Sequence, residues 1–269
     1  LPEYLSNGYT VYAYVLRKKC AFQTSISYYR KAIALDIQRE DWVQASRGLT
    51  DLGSLYLLNM NDATKAIDCN QQAIKLMELK NDIFQVAISY NNISEAYRKR
   101  QEYDSALKYL QKALMVLPIQ FHDSKVEINP TAQALKYVSN NYLASVLLAN
   151  KGESFLSLHK KVNNRKFLDH SLAAYMLSDK MINQMRWQQQ GEQSKLFWRE
   201  KTKTRYQHAI EACYLINDHE KAFYFFEKSR AALLNDKLSE LGAKKFLSQE
   251  DIKKEHALRI AVFTIAQQL

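Results

Sequence analysis

Proline and glycine are scarce in this chain. Three prolines (Pro2, Pro118 and Pro130) and six glycines are spread over 269 residues, and no proline lies beyond Pro130. Proline breaks helix interiors and glycine marks turns, so their scarcity argues against a turn-rich β-sandwich or doubly wound sheet and predicts an almost wholly helical protein with short connections. Long apolar runs are missing as well. The longest, Tyr142–Ala149, falls well short of the roughly 18 residues that would suggest a membrane span.

Cysteine is rare, with Cys20, Cys69 and Cys213 far apart and odd in number. That is neither a disulfide framework nor zinc spacing; it predicts small buried side chains and leans towards a reducing, cytoplasmic compartment. A periplasmic location is the alternative, if a signal peptide precedes Leu1 in a longer protein. The opening without methionine and the helical ending "HALRIAVFTIAQQL" read as an excised piece of a longer protein.

Catalytic motifs are lacking too. There is no phosphate loop, no G-x-S-x-G elbow and no H-E-x-x-H helix. The six histidines have no ligand-like spacing, and His208 with Cys213 falls inside an expected packing helix. No catalytic residue, metal or cofactor is expected. Asn92-Ile93-Ser94 matches a glycosylation sequon, but its place within a helix reads as chance.

Positive charge is in surplus. The chain carries a net +10, and Lys151 to Arg205 holds twelve Lys or Arg against five Asp or Glu. A basic helical array could attract nucleic acid or an acidic protein; a solvated helix face is the plainer reading. No nucleic-acid motif or stacking platform accompanies the charge.

What the sequence does contain is a repeat of about forty residues. "DATKAIDCNQQAIKLMELKND" aligns with "EYDSALKYLQKALMVLPIQFHD", Ala66 on Ala106 and Ala73 on Ala113. Upstream, "GLTDLGSLYLLN" lies over "SYNNISEAYRKR", Tyr56 against Tyr97, and Ala32 takes the place of Ala73. Alanines seven apart share one helix face and let a neighbouring helix come close, so each unit reads as a helix pair.

The pattern resembles the tetratricopeptide repeat (TPR), with a small residue at position 8, Tyr at 11, Ala at 20, a large residue at 24 and Ala at 27. Ser94, Tyr97, Ala106, Leu110, Ala113 and Pro118 fit in one repeat, and Gly53, Tyr56, Ala66 and Ala73 in the one before. Tyr214, Ala222, Phe226 and Ser229 fit a last repeat, in which the aromatic run Phe223–Phe226 is expected to be wedged inside the stack. The expected fold is an all-α superhelix of antiparallel helix pairs over residues 9–41, 42–82, 83–123, 129–190 and 194–235. In the fourth pair, Asn129-Pro130 reads as a helix start, with a stop near Val162–Asn164 and a kink or break at Gly152.

The segment from Ser194 to Glu240 is similar to the end of the repeat array in bacterial TPR proteins that carry a CHAT domain, a caspase-like peptidase module. Ala222, Phe223, Phe225, Glu227, Ser229, Arg230 and Ala231 carry that resemblance. It implies a connecting helix over 241–269, a CHAT module beyond this chain, and Glu227 and Arg230 as candidate contacts to it. An ordinary ion pair between those two residues is the alternative. The TPR resemblance also implies a concave groove lined by positions 2, 5, 9 and 12 of each first helix. These are Arg47, Thr50 and Ser54, then Asn91, Glu95 and Arg98, with Asn140 as the counterpart of Asn91. Amides and guanidinium groups in such a groove suit a protein or peptide ligand. The function expected is a non-enzymatic scaffold. The alternatives are a nucleic-acid-binding array or a self-associating structural element.

Overall fold

The computed structural model describes residues 2–188, 192–231, 248, 250 and 251. All regular structure among them is helical. The pairs are α1 (Pro2–Lys18) with α2 (Phe22–Gln38), α3 (Trp42–Asn59) with α4 (Ala63–Glu78), and α5 (Ile83–Lys99) with α6 (Tyr103–Met115). After the single turn α7 (Ala132–Leu135) come α8 (Asn141–Val162) with α9 (Lys166–Gln188), and α10 (Glu192–Ile216) with α11 (His219–Ala231).

The turns explain how so few glycines suffice. Cys20, Glu40, Asn61, Asn81, Gln101, Asn163 and Asn217 all have positive φ, one at each tight connection among the described residues. Asparagine tolerates this left-handed region better than most residues and supplies four of the seven. In several turns the next residue is an aspartate that caps the following helix. Asp41, Asp62, Asp82 and Asp218 each accept from the backbone N–H three residues on, at 3.0–3.1 Å. Left-handed residue followed by Asp cap is the local code that reverses the chain about every twenty residues.

Close approach within each pair is set by the small residues. A Cβ on Gly53 would stand 2.7 Å from Asn70 Nδ2, and one on Gly152 would stand 3.0 Å from the Tyr175 ring. The Ser25 hydroxyl donates to the Ala13 carbonyl and the Ser171 hydroxyl to the Gly152 carbonyl, both at 2.7 Å. The matching contacts place Ala13 and Gly152 at position 8 of the first and fourth repeats, and Ser25 and Ser171 at position 20. Gly152 therefore does not break α8, which runs on to Val162. It is a contact point for Tyr175.

The fourth helix pair does not start at Asn129-Pro130. Leu117, Ile119 and Phe121 alternate into the core, Leu135 and Val138 follow them in, and only one helical turn forms between. α8 begins at Asn141, capped by Asn140, whose Oδ1 accepts from the Leu143 N–H at 2.9 Å. The segment from Val116 to Asn140 is pinned at its middle. Gln111 Nε2 donates to the carbonyls of Asp123 (2.6 Å) and Ile128 (3.2 Å), and Lys151 Nζ donates to Ile128 O (2.7 Å) and Gln111 Oε1 (2.6 Å). The Lys151 ammonium is fully buried, and desolvation draws its pKa down to about 7.

In α11, Phe225 alone of the four aromatics is fully buried, against Tyr206, while Phe223 and Phe226 are exposed. Four consecutive helical residues sweep most of a turn, so one flat neighbour cannot cover them all. Tyr224 is held by its hydroxyl, which donates to Asp179 Oδ2 at 2.5 Å. The 241–269 segment falls almost wholly outside the described residues.

Candidate functional site

The first helices α1, α3, α5, α8 and α10 form one side of the array. Packing contacts run directly from α3 to α5, α5 to α8 and α8 to α10, whereas α2, α4 and α6 have no comparable row. The side with the closer spacing is the inside of the curve.

Polar side chains on this inner row are stitched from helix to helix. Arg17 on α1 donates through Nε to Asn59 Oδ1 (2.7 Å) and through Nη2 to the Ser54 carbonyl (3.4 Å) on α3. Gln85 on α5 donates to Thr50 Oγ1 (3.2 Å), and Thr50 and Ser54 donate back into α3 at the Ser46 and Thr50 carbonyls. Asn150 on α8 donates to Asn91 Oδ1 on α5 (2.8 Å). Arg98 pairs with Glu153 Oε1 at 2.5 Å, and Glu153 Oε2 lies 3.8 Å from His208 Nδ1 on α10. The chain Arg98–Glu153–His208 thus spans three successive first helices. Farther along, Arg205 on α10 donates to Ser145 Oγ (3.2 Å), its guanidinium 5.7 Å from the centre of the Tyr142 ring.

The electrostatics match a hollow rather than a flat surface. Asp51 touches solvent, yet surrounding protein raises its carboxyl pKa, and Arg17 pulls it back. Burial lowers the Arg205 pKa, with Tyr142 opposing. Tyr175 reaches past Gly152 so that its buried hydroxyl feels Glu153, Arg98 and Glu211. Desolvation raises the Tyr175 pKa well above the usual phenol value, and the hydroxyl has no hydrogen-bond partner among the described residues.

Of the groove residues expected from the sequence, Thr50, Ser54, Asn91 and Arg98 lie on this row and are tied into it. Arg47 is exposed and Glu95 half-buried, with no hydrogen bond or ion pair of their side chains among the described residues. Asn140 departs from expectation: it caps α8, because position 5 of that helix is Ala149 once Gly152 takes position 8. Its place beside Asn91 goes to Asn150. Glu227 is exposed, and the side chain of Arg230 lies outside the described residues, so that pair is not defined.

Sequence reasoning misses Arg17, Asp51, Gln85, Glu153, His208 and Arg205. For two of them the signal is present. Arg17 sits at position 12 of the first repeat as Arg98 does of the third, and each arginine reaches position 9 of the next repeat, at Ser54 and at Glu153. Lys151, the first cation of the basic stretch, is buried, which removes it from any surface field. Among the described residues no three His, Cys, Asp or Glu side chains are grouped to hold a metal, and no helix is long and apolar enough to cross a membrane. Burial pushes the Cys69 and Cys213 thiols up to about 11, away from nucleophilic use.

A tetratricopeptide repeat model matches residues 86–114, within the α5–α6 pair. A search of curated proteins finds no match. Among solved structures, BtubC (BKLC) from P. vanneervenii superposes with a TM-score of 0.63 at 13% identity, covering 92% of this chain and 84% of that one. A Podosopora anserina protein described as a kinesin light chain with nearly identical TPR-like repeats gives 0.53 at 10% identity, covering 92% and 99%. MamA gives 0.50 at 16%, covering 91% and 97%. With the helix pairs, their left-handed turns and the small-residue contacts at positions 8 and 20, these likenesses identify the fold as a TPR-like all-α solenoid.

Proposed function

We propose that this chain is a non-enzymatic scaffold whose inner helix row holds an extended segment of a partner protein. The observation that carries the reading is the cross-helix network from Arg17 to His208. Its side chains are locked by one another before any ligand arrives, so a bound peptide would not have to order them. Within that frame Arg47, Asp51 and Glu95 offer charged groups of both signs to a peptide backbone or chain terminus.

The finer reading places the array beside a CHAT peptidase-like module in an intact protein. It rests on the repeat register together with the similarity over Ala222–Ala231. Sequencing the native gene past the codon for Leu269 tests it: an α/β segment carrying a His and a Cys supports the link, and its absence removes it.

The scaffold reading is tested with an immobilised peptide library displayed with free and with amidated C-termini. Expected are hits whose binding falls at least about tenfold, ~1.4 kcal/mol, in Arg47→Ala or Glu95→Ala, with helicity unchanged. No binding across the library, or binding indifferent to both substitutions, overturns it. Loss of binding on amidation alone identifies the terminal carboxylate as the recognised group.

A further inference from the structure

The joint between α6 and α8 departs from the register of the joints before it. Position 7 of the first helix holds Leu52 on α3 and Ile93 on α5, 4% and 0% exposed. On α8 that apolar place is taken by Lys151, which is 0% exposed. Position 25 of the second helix holds Arg30 on α2 and Gln71 on α4, both open to solvent. On α6 it holds Gln111, which is buried and accepts from the Lys151 Nζ at 2.6 Å. A lysine and a glutamine thus stand together in the interior, where an aliphatic side chain would fill the space at lower cost.

This pair holds the middle of the 116–140 segment as a protein holds a peptide, through main-chain carbonyls. Gln111 takes those of Asp123 and Ile128, and Lys151 takes that of Ile128. Between the two carbonyls Val126 packs one turn farther along the same helices. It meets Leu107 of α6 and Phe155 and Leu158 of α8, with Tyr103 and Phe167 beside them. Asp123 and Glu127 flank the valine, and their charges favour the Lys151 ammonium. The hold is local. From residue 122 to 128 every residue except Val126 is exposed, whereas Phe121 before it and Pro130 after it are buried.

We propose that the cleft between α6, α8 and the start of α9 is a second peptide-binding site, separate from the inner row. Residues 122–128 occupy it in cis, and a partner segment with one branched apolar residue between two acidic ones takes it over in trans. The present occupant defines that class: carbonyls for Gln111 and Lys151, an apolar side chain for Leu107 and Phe155, carboxylates near the ammonium. An incoming segment has one interaction to gain. Lys151 donates to a carbonyl and an amide oxygen but makes no ion pair among the described residues. A carboxylate in direct contact would offset its burial better than either. Displacement needs only a local opening, because Leu117, Ile119 and Phe121 on one side and Leu135 and Val138 on the other stay anchored in the core.

The test uses the full chain with a synthetic peptide of residues 122–129, ends capped, as the probe. A tethered segment competes at a millimolar effective concentration, so the probe is titrated to about 5 mM and read by NMR. Val126→Arg, too large for the cluster and repelled by Lys151, should free the cis segment. Release is read as reaction of the Lys151 amine with a water-soluble acylating reagent, which the buried amine of the parent resists. Expected is probe binding to the freed variant at least about tenfold tighter than to the parent, with resonance shifts around Gln111 and Phe155. Lys151→Met in the freed chain should weaken that binding about tenfold, and a probe carrying the same Val126→Arg change should not bind. Four results overturn the proposal: a Lys151 that stays unreactive in Val126→Arg, a freed chain that ignores the probe, binding indifferent to Lys151→Met, or shifts confined to the inner row.

Discussion

At the scale of single residues, two glycines with opposite surroundings make a paired experiment. Gly152→Ala drives a methyl to 3.0 Å from the Tyr175 ring and 3.1 Å from the Ser171 carbonyl. It should cost about 1–3 kcal/mol through overpacking. Gly8→Ala meets nothing within 4 Å and should gain up to about 1 kcal/mol from helix propensity. Urea unfolding of the two variants at low protein concentration reads both signs.

Lys151 gives a pH prediction. Its folded pKa of about 7 lies below the ordinary 10.5, so between these values the unfolded chain binds more protons than the native one. Stability should therefore rise as pH climbs from about 7 to about 10.5, and the cost of the buried ammonium is fully present below 7. The groups facing it are Gln111 and the Ile128 carbonyl in contact, with the Asp123 and Glu127 charges favouring protonation from the enclosing segment. Lys151→Met should flatten this dependence, whose slope is at most about 1.4 kcal/mol per pH step of one and which amounts to a few kcal/mol across the window. Denaturant titrations at pH 7 and pH 10 measure the difference between variant and parent.

At the scale of elements, the turn code is the most portable feature. Asp82→Ala removes the side-chain acceptor for the Gln85 N–H and should cost about 1 kcal/mol. Gln101 has φ 59° without asparagine's tolerance of that region, so Gln101→Gly should gain a few tenths to about 1 kcal/mol by relieving the Cβ. Thermal melts of these two variants should shift in opposite directions.

The same elements show where sequence is readable. The paired alanines at 66 and 73, and at 106 and 113, announce the hairpins because helix period and close packing demand small residues there. The start of the fourth hairpin is misplaced from sequence because Asn129-Pro130 has the right local chemistry for a helix start. The burial of Leu117, Ile119 and Phe121 draws that segment into an irregular, bent course instead. Gly152 reads as a weakness because its partner, Tyr175, lies twenty-three residues on and becomes visible only in three dimensions. For the groove, register finds Thr50, Ser54, Asn91 and Arg98. It does not find His208 or Arg205, which matter through neighbours contributed by other helices.

At the scale of the whole molecule, the core is a relay rather than a single mass. One apolar cluster joins α1 to α5, a second joins α5 and α6 to α8 and α9 through Leu117, Ile119, Phe121 and Leu135, and a third joins α8 and α9 to α10 and α11. Each hairpin leans on its neighbours as well as on the packing of its own two helices, as in other linear arrays. At the last of these junctions, the buried Asp179 accepts from the Tyr206 and Tyr224 hydroxyls and from Asn183. Asp179→Ala should loosen α10 and α11 selectively. Hydrogen exchange would show faster exchange there and unchanged protection in α3 and α4.

The tight junctions hand the chain from one helix to the next with almost no slack, so tension along the array is felt at once by the helices. Between α6 and α8 the situation is reversed. Twenty-five residues are folded away there, held by one buried ammonium, one glutamine and the burial of Leu117, Ile119, Phe121, Leu135 and Val138. Drawn straight, that reserve would span up to roughly 80 Å, far more chain than the two- to four-residue joins elsewhere between the long helices hold.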